Sequence, residues 1–258
     1  PQMHKEMMDG NFSTEITTRR KKLTIFFSDI KNFTDTSEKL QPEDLTKYLN
    51  EYFSEMTKIA LEYGATIDKY IGDAVMLFFG DPTSKGEKAD AIACVEMSLK
   101  MQEKMSELKK KWLNEGFQNP FEIRVGINTG FCNVGNFGSE QRLTYTIIGG
   151  EVNIAARLET AGDVGKILMS NETYAHVKEI VDVKKLNSIK MKGVSRDVKV
   201  FEVIGRKNAN INKVKNFDRN TKLTNKKIED LNKKIEAIDK QFNVLKTLIN
   251  DLNKQKLD

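Results

Sequence analysis

Between Pro42 and Tyr63 the apolar side chains fall at Leu45, Tyr48, Leu49, Tyr52, Phe53, Met56, Ile59 and Ala60, the three-and-four rhythm of a helix with one buried face. Pro42 suits the first turn of that helix and Gly64 its C-cap region. Upstream, Lys22–Ser28 is an apolar, β-rich run that reads as a buried strand. Downstream, Thr66–Tyr70 and Ala74–Phe79 read as the two strands of a hairpin around Ile71-Gly72-Asp73. A second long helix is expected from Ala89 to Leu113. Strands are expected at Glu122–Thr129 and Cys132–Phe137, divided by Gly130, and again at Tyr145–Ile148. Gly149-Gly150 then leads into a helix reaching Glu159, and a last strand is expected at Val198–Ile204. Helices mixed with strands and frequent hairpins predict an α/β layered domain over 21–205. Residues 1–20 form a polar lead-in with a short helical stretch at Gln2–Met8.

Past Gly205 the pattern changes. Residues 206–224 are polar and read as a linker. From Ile228 the apolar positions are Ile228, Leu231, Ile235, Ile238, Phe242, Leu245, Ile249 and Leu252, alternating steps of three and four. That heptad predicts a C-terminal coiled-coil helix over 225–258; a helix packed on its own domain is the other reading.

Composition narrows the class. A chain of 258 residues, 39% hydrophobic and 31% charged, is that of a globular protein with a sizeable core. The net charge of +5 is concentrated in the Lys- and Asn-rich tail. No basic block there is interleaved with aromatics, so a solvated face is favoured over a nucleic-acid partner. Cys94 and Cys132 stand at no metal-ligand spacing, and two cysteines make no disulfide framework; a reducing, cytoplasmic setting fits. No apolar run approaches the roughly 20 residues of a membrane span, and no signal peptide is visible, so direct membrane insertion is not expected. The chain opens Pro1-Gln2 rather than with Met, which points to a missing N-terminal region.

Three clusters carry candidate chemistry. In Phe27-Ser28-Asp29-Ile30-Lys31-Asn32-Phe33-Thr34 a carboxylate ends a buried strand, and alone it reads as a turn residue or a metal ligand. In Ile67-Asp68-Lys69-Tyr70-Ile71-Gly72-Asp73-Ala74 a second carboxylate, Asp73, sits at a hairpin tip; alone it is an ordinary Gly-Asp turn. Together, carboxylates from neighbouring strand ends can bridge two hard cations, since Mg²⁺ takes one or two carboxylates plus substrate phosphate. In Tyr145–Glu159, Asn153 and Arg157 stand four apart and share one helix face, either a solvent-facing stripe or a functional pair.

In order and spacing these clusters, with Arg124–Gly135, resemble the class III adenylyl/guanylyl cyclase catalytic domain over about residues 20–205. Gly149-Gly150-Glu151 is similar to the diguanylate cyclase signature, but Val152-Asn153 do not continue it. The resemblance implies a ferredoxin-like cyclase fold: a mixed, largely antiparallel sheet with helices packed on it. It implies a head-to-tail homodimer with active sites at the interface and two Mg²⁺ or Mn²⁺ ions per site. Asp29, Asp73 and the Ile30 carbonyl of one subunit would hold the metals, and the backbone of Asn32, Phe33 and Thr34 would face the terminal phosphates. Lys69 and Thr146 of the other subunit would read the base, Asn153 would orient the ribose, and Arg157 would stabilise negative charge on the α-phosphate. An upstream regulatory domain is a common companion in the family.

The base pair of residues has a chemical logic. Lysine only donates hydrogen bonds, whereas threonine donates or accepts. Adenine offers an acceptor at N1 and a donor at its 6-amino group, complementary to Lys69 and Thr146, so ATP is the expected substrate. Guanine inverts both groups. The triphosphate lysine departs from the family pattern: in Lys190-Met-Lys-Gly-Val194, Lys192 holds the place of the first lysine and Val194 replaces the second. Arg142 is a further phosphate candidate or a plain surface arginine. The competing readings are a cyclase with relaxed base choice, taking GTP or a pyrimidine nucleotide, and a catalytically silent cyclase-fold module.

Overall fold

A computed structural model describes residues 17–139, 141–190 and 197–207. In it the chain runs β1 (Thr18–Ile30), α1 (Phe33–Ser37), α2 (Pro42–Tyr63), β2 (Thr66–Ile71), β3 (Ala74–Phe79), α3 (Glu87–Asn114) and β4 (Ile123–Ser139). It continues with β5 (Arg142–Ile148), α4 (Gly150–Ala161), β6 (Ile167–Ser170), α5 (Asn171–Val177), β7 (Val181–Lys185) and β8 (Val200–Arg206). The strands form one sheet in the order β2-β3-β1-β4-β6-β8-β7, with β5 on β4. Its first half, β2-β3-β1-β4, is the strand order of a ferredoxin-like β-α-β-β-α-β unit. Among the described strands only β4 and β6 pair parallel; the other pairings are antiparallel. This is the expected mixed, largely antiparallel sheet with packed helices. Of the lead-in expected over 1–20, residues 1–16 lie outside the described residues, as do Lys192 and the proposed coiled coil, while Thr18, Arg19 and Arg20 belong to β1.

The strand period of two sorts side chains between two cores. Phe26 and Ile30 of β1, Val75, Leu77 and Phe79 of β3, and Ile123, Val125 and Ile127 of β4 are buried in the core that takes in α2 and α3. Leu23, Ile25, Phe27, Met76 and Phe78 turn to the opposite face and pack with Ala155 of α4. The helix α2 begins at Pro42 and closes on Gly64, whose φ of 84° is the left-handed cap that glycine adopts without strain.

One expectation is corrected. Gly130 does not divide two strands; β4 runs through it from Ile123 to Ser139. A Cβ at Gly130 would lie 2.5 Å from the Glu151 side chain of α4. The glycine marks a close approach of helix to sheet, one of the two meanings of a glycine inside a strand. The same holds at Gly126, where a Cβ would stand 2.3 Å from the Ala155 carbonyl and 2.2 Å from the Glu159 amide. With no side chain at either position, α4 lies directly on β4.

Candidate active site

Asp29 is the penultimate residue of β1, pairing across the ladder with Arg124 of β4. It faces the α4 side of the sheet, in phase with Phe27. The Arg124 guanidinium donates to Asp29 Oδ2 at 2.9 Å and meets Glu159 of α4 at 2.5 Å. Asp73 arrives from the β2–β3 hairpin, whose two-residue turn starts with Gly72 at φ 62°. The Ile30 amide donates to Asp73 Oδ2 at 2.9 Å, which ties the hairpin tip to the end of β1. Burial, a shared hydrogen bond with Asp29 and that residue's like charge push the Asp73 carboxyl up to about 6. Glu159 is also raised, first by burial; the Asp29 charge adds to this, and Arg124 works against it.

The Arg124 guanidinium meets two carboxylates, Asp29 and Glu159, and Asp73 stands against Asp29, so this corner is short of positive charge. The donor set suits a hard divalent cation: all oxygen, with two carboxylates against each other at the mouth of the cluster. Among the described residues no three His, Cys, Asp or Glu side chains converge as a self-sufficient metal cluster. An ion held by Asp29 and Asp73 would complete its shell with other oxygens, as Mg²⁺ does with water and phosphate.

A second constellation lies where β5 meets β2. Lys69 Nζ donates to Thr146 Oγ1 at 3.0 Å. The Thr146 hydroxyl donates to Asp68 Oδ2 at 2.6 Å, and the Ile147 amide donates to the same oxygen at 3.2 Å. Asp68 Oδ1 lies 3.0 Å from Lys69 Nζ. Thr146 is buried and the Asp68 side chain is wholly so, whereas the Lys69 side chain stays 41% exposed. Tyr145 gives its hydroxyl to Asp81, a buried carboxylate that also pairs with Arg19 and Lys21. Those contacts fasten β5 one residue before Thr146.

Asn153 and Arg157 both lie on the exposed face of α4, and neither makes a side-chain hydrogen bond or ion pair to a described residue. The single chain thus brings Asp29 to Asp73 and Lys69 to Thr146, but no contact joins either pair to Asn153 or Arg157. Asn32 adopts the left-handed conformation (φ 56°, ψ 34°) as the cap of α1, with Phe33 and Thr34 in its first turn. First-turn amides of a helix have no intrahelical acceptor. Arg142 opens β5 at the far, exposed end of the β4–β5 hairpin. It stands four positions along the strand from Thr146, about 13 Å.

Arg124, Glu159 and Asp68 were not singled out from the sequence. Arg124 falls in a stretch that bears the family resemblance, but no spacing rule links it to Asp29; the β1–β4 register does. Asp68 precedes Lys69 on a strand and would ordinarily point to the opposite face. The β2–β3 ladder slips between Ile67 and Lys69, leaving Asp68 as the extra residue of a bulge. Bulges re-aim side chains in this way.

The profile described as the adenylate and guanylate cyclase catalytic domain matches residues 16–205. Adenylate cyclase 1 of Rhizobium meliloti is 33% identical over 205 residues, covering 79% of this chain and 30% of that protein. The chain thus spans under a third of that relative's length. The structure of the adenylyl cyclase CyaB from P. aeruginosa superimposes with a TM-score of 0.73 at 51% identity, over 75% of this chain and 98% of that one. That of the guanylyl cyclase Cya2 superimposes with a TM-score of 0.70 at 36% identity, over 75% of this chain and 97% of that one.

Proposed function

The chain belongs to the adenylate and guanylate cyclase catalytic domain family, and from that premise we propose that it converts ATP into 3′,5′-cyclic AMP and pyrophosphate at sites shared by two copies. The observation that carries the base choice is the Lys69–Thr146 pair, a donor-only ammonium beside a hydroxyl whose hydrogen is already given to Asp68. Adenine meets it with N1 accepting from Lys69 and the 6-amino group donating to Thr146. Guanine would set N1–H against the ammonium and O6 against a hydroxyl lone pair.

The reaction needs the ribose 3′-oxygen to attack the α-phosphorus as the bond to the β-phosphate oxygen breaks; the hydroxyl proton is lost and pyrophosphate leaves with the bonding pair. Asp29 and Asp73, with the Ile30 carbonyl, would hold two Mg²⁺ or Mn²⁺ ions. Bound there, such ions make the hydroxyl more acidic and polarise phosphate oxygens. Arg124, already at Asp29, is the described cation best placed for a triphosphate in this corner. It is a stronger candidate than Arg142 at the far hairpin end.

Asn153 and Arg157 support the shared site. Both are exposed on α4 and make no side-chain bond among the described residues, in a position to act on a nucleotide held by another copy. Asn153 orients the ribose, and Arg157 supplies fixed positive charge where the α-phosphate oxygens gain negative charge. Among the described residues no helix is long and apolar enough to cross a membrane. The test is product formation: purified protein with ATP and Mn²⁺ should yield cyclic AMP and pyrophosphate in equal amounts and stop on chelation by EDTA. A protein that binds ATP without forming either product would be a silent module.

A further inference from the structure

Thr146 alone is an ambiguous reader, because a free hydroxyl rotates to donate to guanine O6 as readily as it accepts from the adenine amino group. In this structure the hydroxyl is not free. Its hydrogen points to Asp68 Oδ2 at 2.6 Å, an oxygen held in place by the Ile147 amide at 3.2 Å. An ionised carboxylate only accepts hydrogen bonds, so Thr146 can offer its neighbour nothing but lone pairs. The other Asp68 oxygen lies 3.0 Å from Lys69 Nζ, so one carboxylate touches both base-reading groups. Its side chain has no exposed surface and reaches β5 only because the β2 bulge turns it there. A buried carboxylate turned in this way, hydrogen-bonded to Thr146 and ion-paired with Lys69, has no evident role in holding β2 to β3, since it is the one residue of β2 left out of that ladder between Ile67 and Ile71.

We propose that Asp68 is a specificity-positioning residue: it fixes the Thr146 hydroxyl as an acceptor and steadies the Lys69 ammonium, and so selects adenine over guanine without touching the base. This rests on the ATP reading above. Replacing Asp68 frees the hydroxyl to turn its hydrogen outward to guanine O6. The gain for GTP and the loss for ATP together amount to about one hydrogen bond, roughly a tenfold change in relative rate.

The experiment measures kcat/KM for ATP and for GTP, with Mn²⁺, in the wild type, Asp68→Ala, Asp68→Asn, Thr146→Val and the Asp68→Ala/Thr146→Val double variant. The ATP-to-GTP ratio should fall roughly tenfold in Asp68→Ala. It should stay near the wild-type value in Asp68→Asn, whose amide oxygen still accepts from Thr146. In the Thr146→Val background, Asp68→Ala should leave the ratio unchanged within about twofold, because no hydroxyl remains to be turned. Asp68→Leu, which fills the same space without an acceptor, replaces the alanine variant if that one does not fold. An unchanged ratio in both the alanine and leucine variants, or the same fall with and without the Thr146 hydroxyl, overturns the role of Asp68 alone. A wild type that turns over GTP as well as ATP overturns the ATP reading and the inference resting on it.

Discussion

Lys69 Nζ stands 3.0 Å from Thr146 Oγ1 although 77 positions separate the two residues. β2 is an edge strand and β5 hangs from β4 apart from the main strand order, so nothing in the backbone ladder joins them. The contact is made by side chains, with Asp68 as its third member. If it reads the base, Lys69→Ala should lower kcat/KM for ATP by about 10- to 100-fold, the loss of one charge-assisted hydrogen bond. Thermal melting should fall as well, because the variant leaves the buried Asp68 Oδ1 without its ion pair, so kcat/KM is compared at a temperature where both proteins are folded. Full activity at sub-saturating ATP would contradict the assignment.

The acid pair gives a pH-dependent stability whose sign can be worked out. Asp73 holds its proton up to about 6 in the folded chain, against roughly 3.9 for a free aspartate. The folded state therefore binds more protons between those values, and Asp73 destabilises the fold once ionised. This cost is absent below about pH 4, grows as pH rises through 6, and is complete at pH 7. Asp73 is partly open to solvent, which discounts the effect to about 1 kcal/mol. In EDTA, Asp73→Asn should melt a few degrees above wild type at pH 7.5, and the gap should close at pH 4. The same variant should lose turnover even at saturating Mn²⁺. A lower melting point at pH 7.5, or full turnover, would refute the reading of this pair.

Shared sites predict complementation. Asp73→Ala and Arg157→Ala should each be inactive alone. Mixed and allowed to exchange subunits, they should recover about a quarter of wild-type activity, since half the dimers are mixed and each has one intact site. No recovery after exchange has been demonstrated, for instance by two affinity tags, would argue for a site within one chain.

The seating of α4 on β4 should depend on Gly126. A methyl group there meets the Ala155 carbonyl at 2.3 Å and the Glu159 amide at 2.2 Å, both backbone atoms that cannot swing aside. Gly126→Ala should therefore cost about 3 kcal/mol or more and displace Glu159 from Arg124. Gly165→Ala, with nothing within 4 Å but a φ of 75°, should cost only its backbone strain, about 1–2 kcal/mol. Denaturant unfolding of the two variants would rank them, and equal stabilities would refute the close-packing argument.

Much of the fold was legible because its long elements have uninterrupted periods. The helix α2 carries Pro42 and Gly64 at its ends, and β3 is a run of apolar residues bounded by turns. Gly130 misled because a glycine in a strand signals either a break or a close approach, and only the position of Glu151 tells which. At the site, Asp29 and Asp73 end strands and were legible as a possible pair. Arg124 and Glu159 join them through sheet register and helix seating, which one-dimensional spacing does not express. Asp68 was hidden for a different reason: strand alternation assigns it to the wrong face, and the bulge reverses that assignment.

The central claim is that this chain makes cyclic AMP by reading adenine through Lys69 and Thr146. It is tested most directly by supplying ATP, GTP, CTP and UTP at equal concentration with Mn²⁺ and following all four cyclic products in one reaction. The account predicts cyclic AMP as the dominant product, with cyclic GMP at least about tenfold lower, since either of the two mismatched hydrogen bonds alone costs about that factor. Cyclic GMP or a cyclic pyrimidine nucleotide as the main product, or no cyclic product from any of the four, would contradict it.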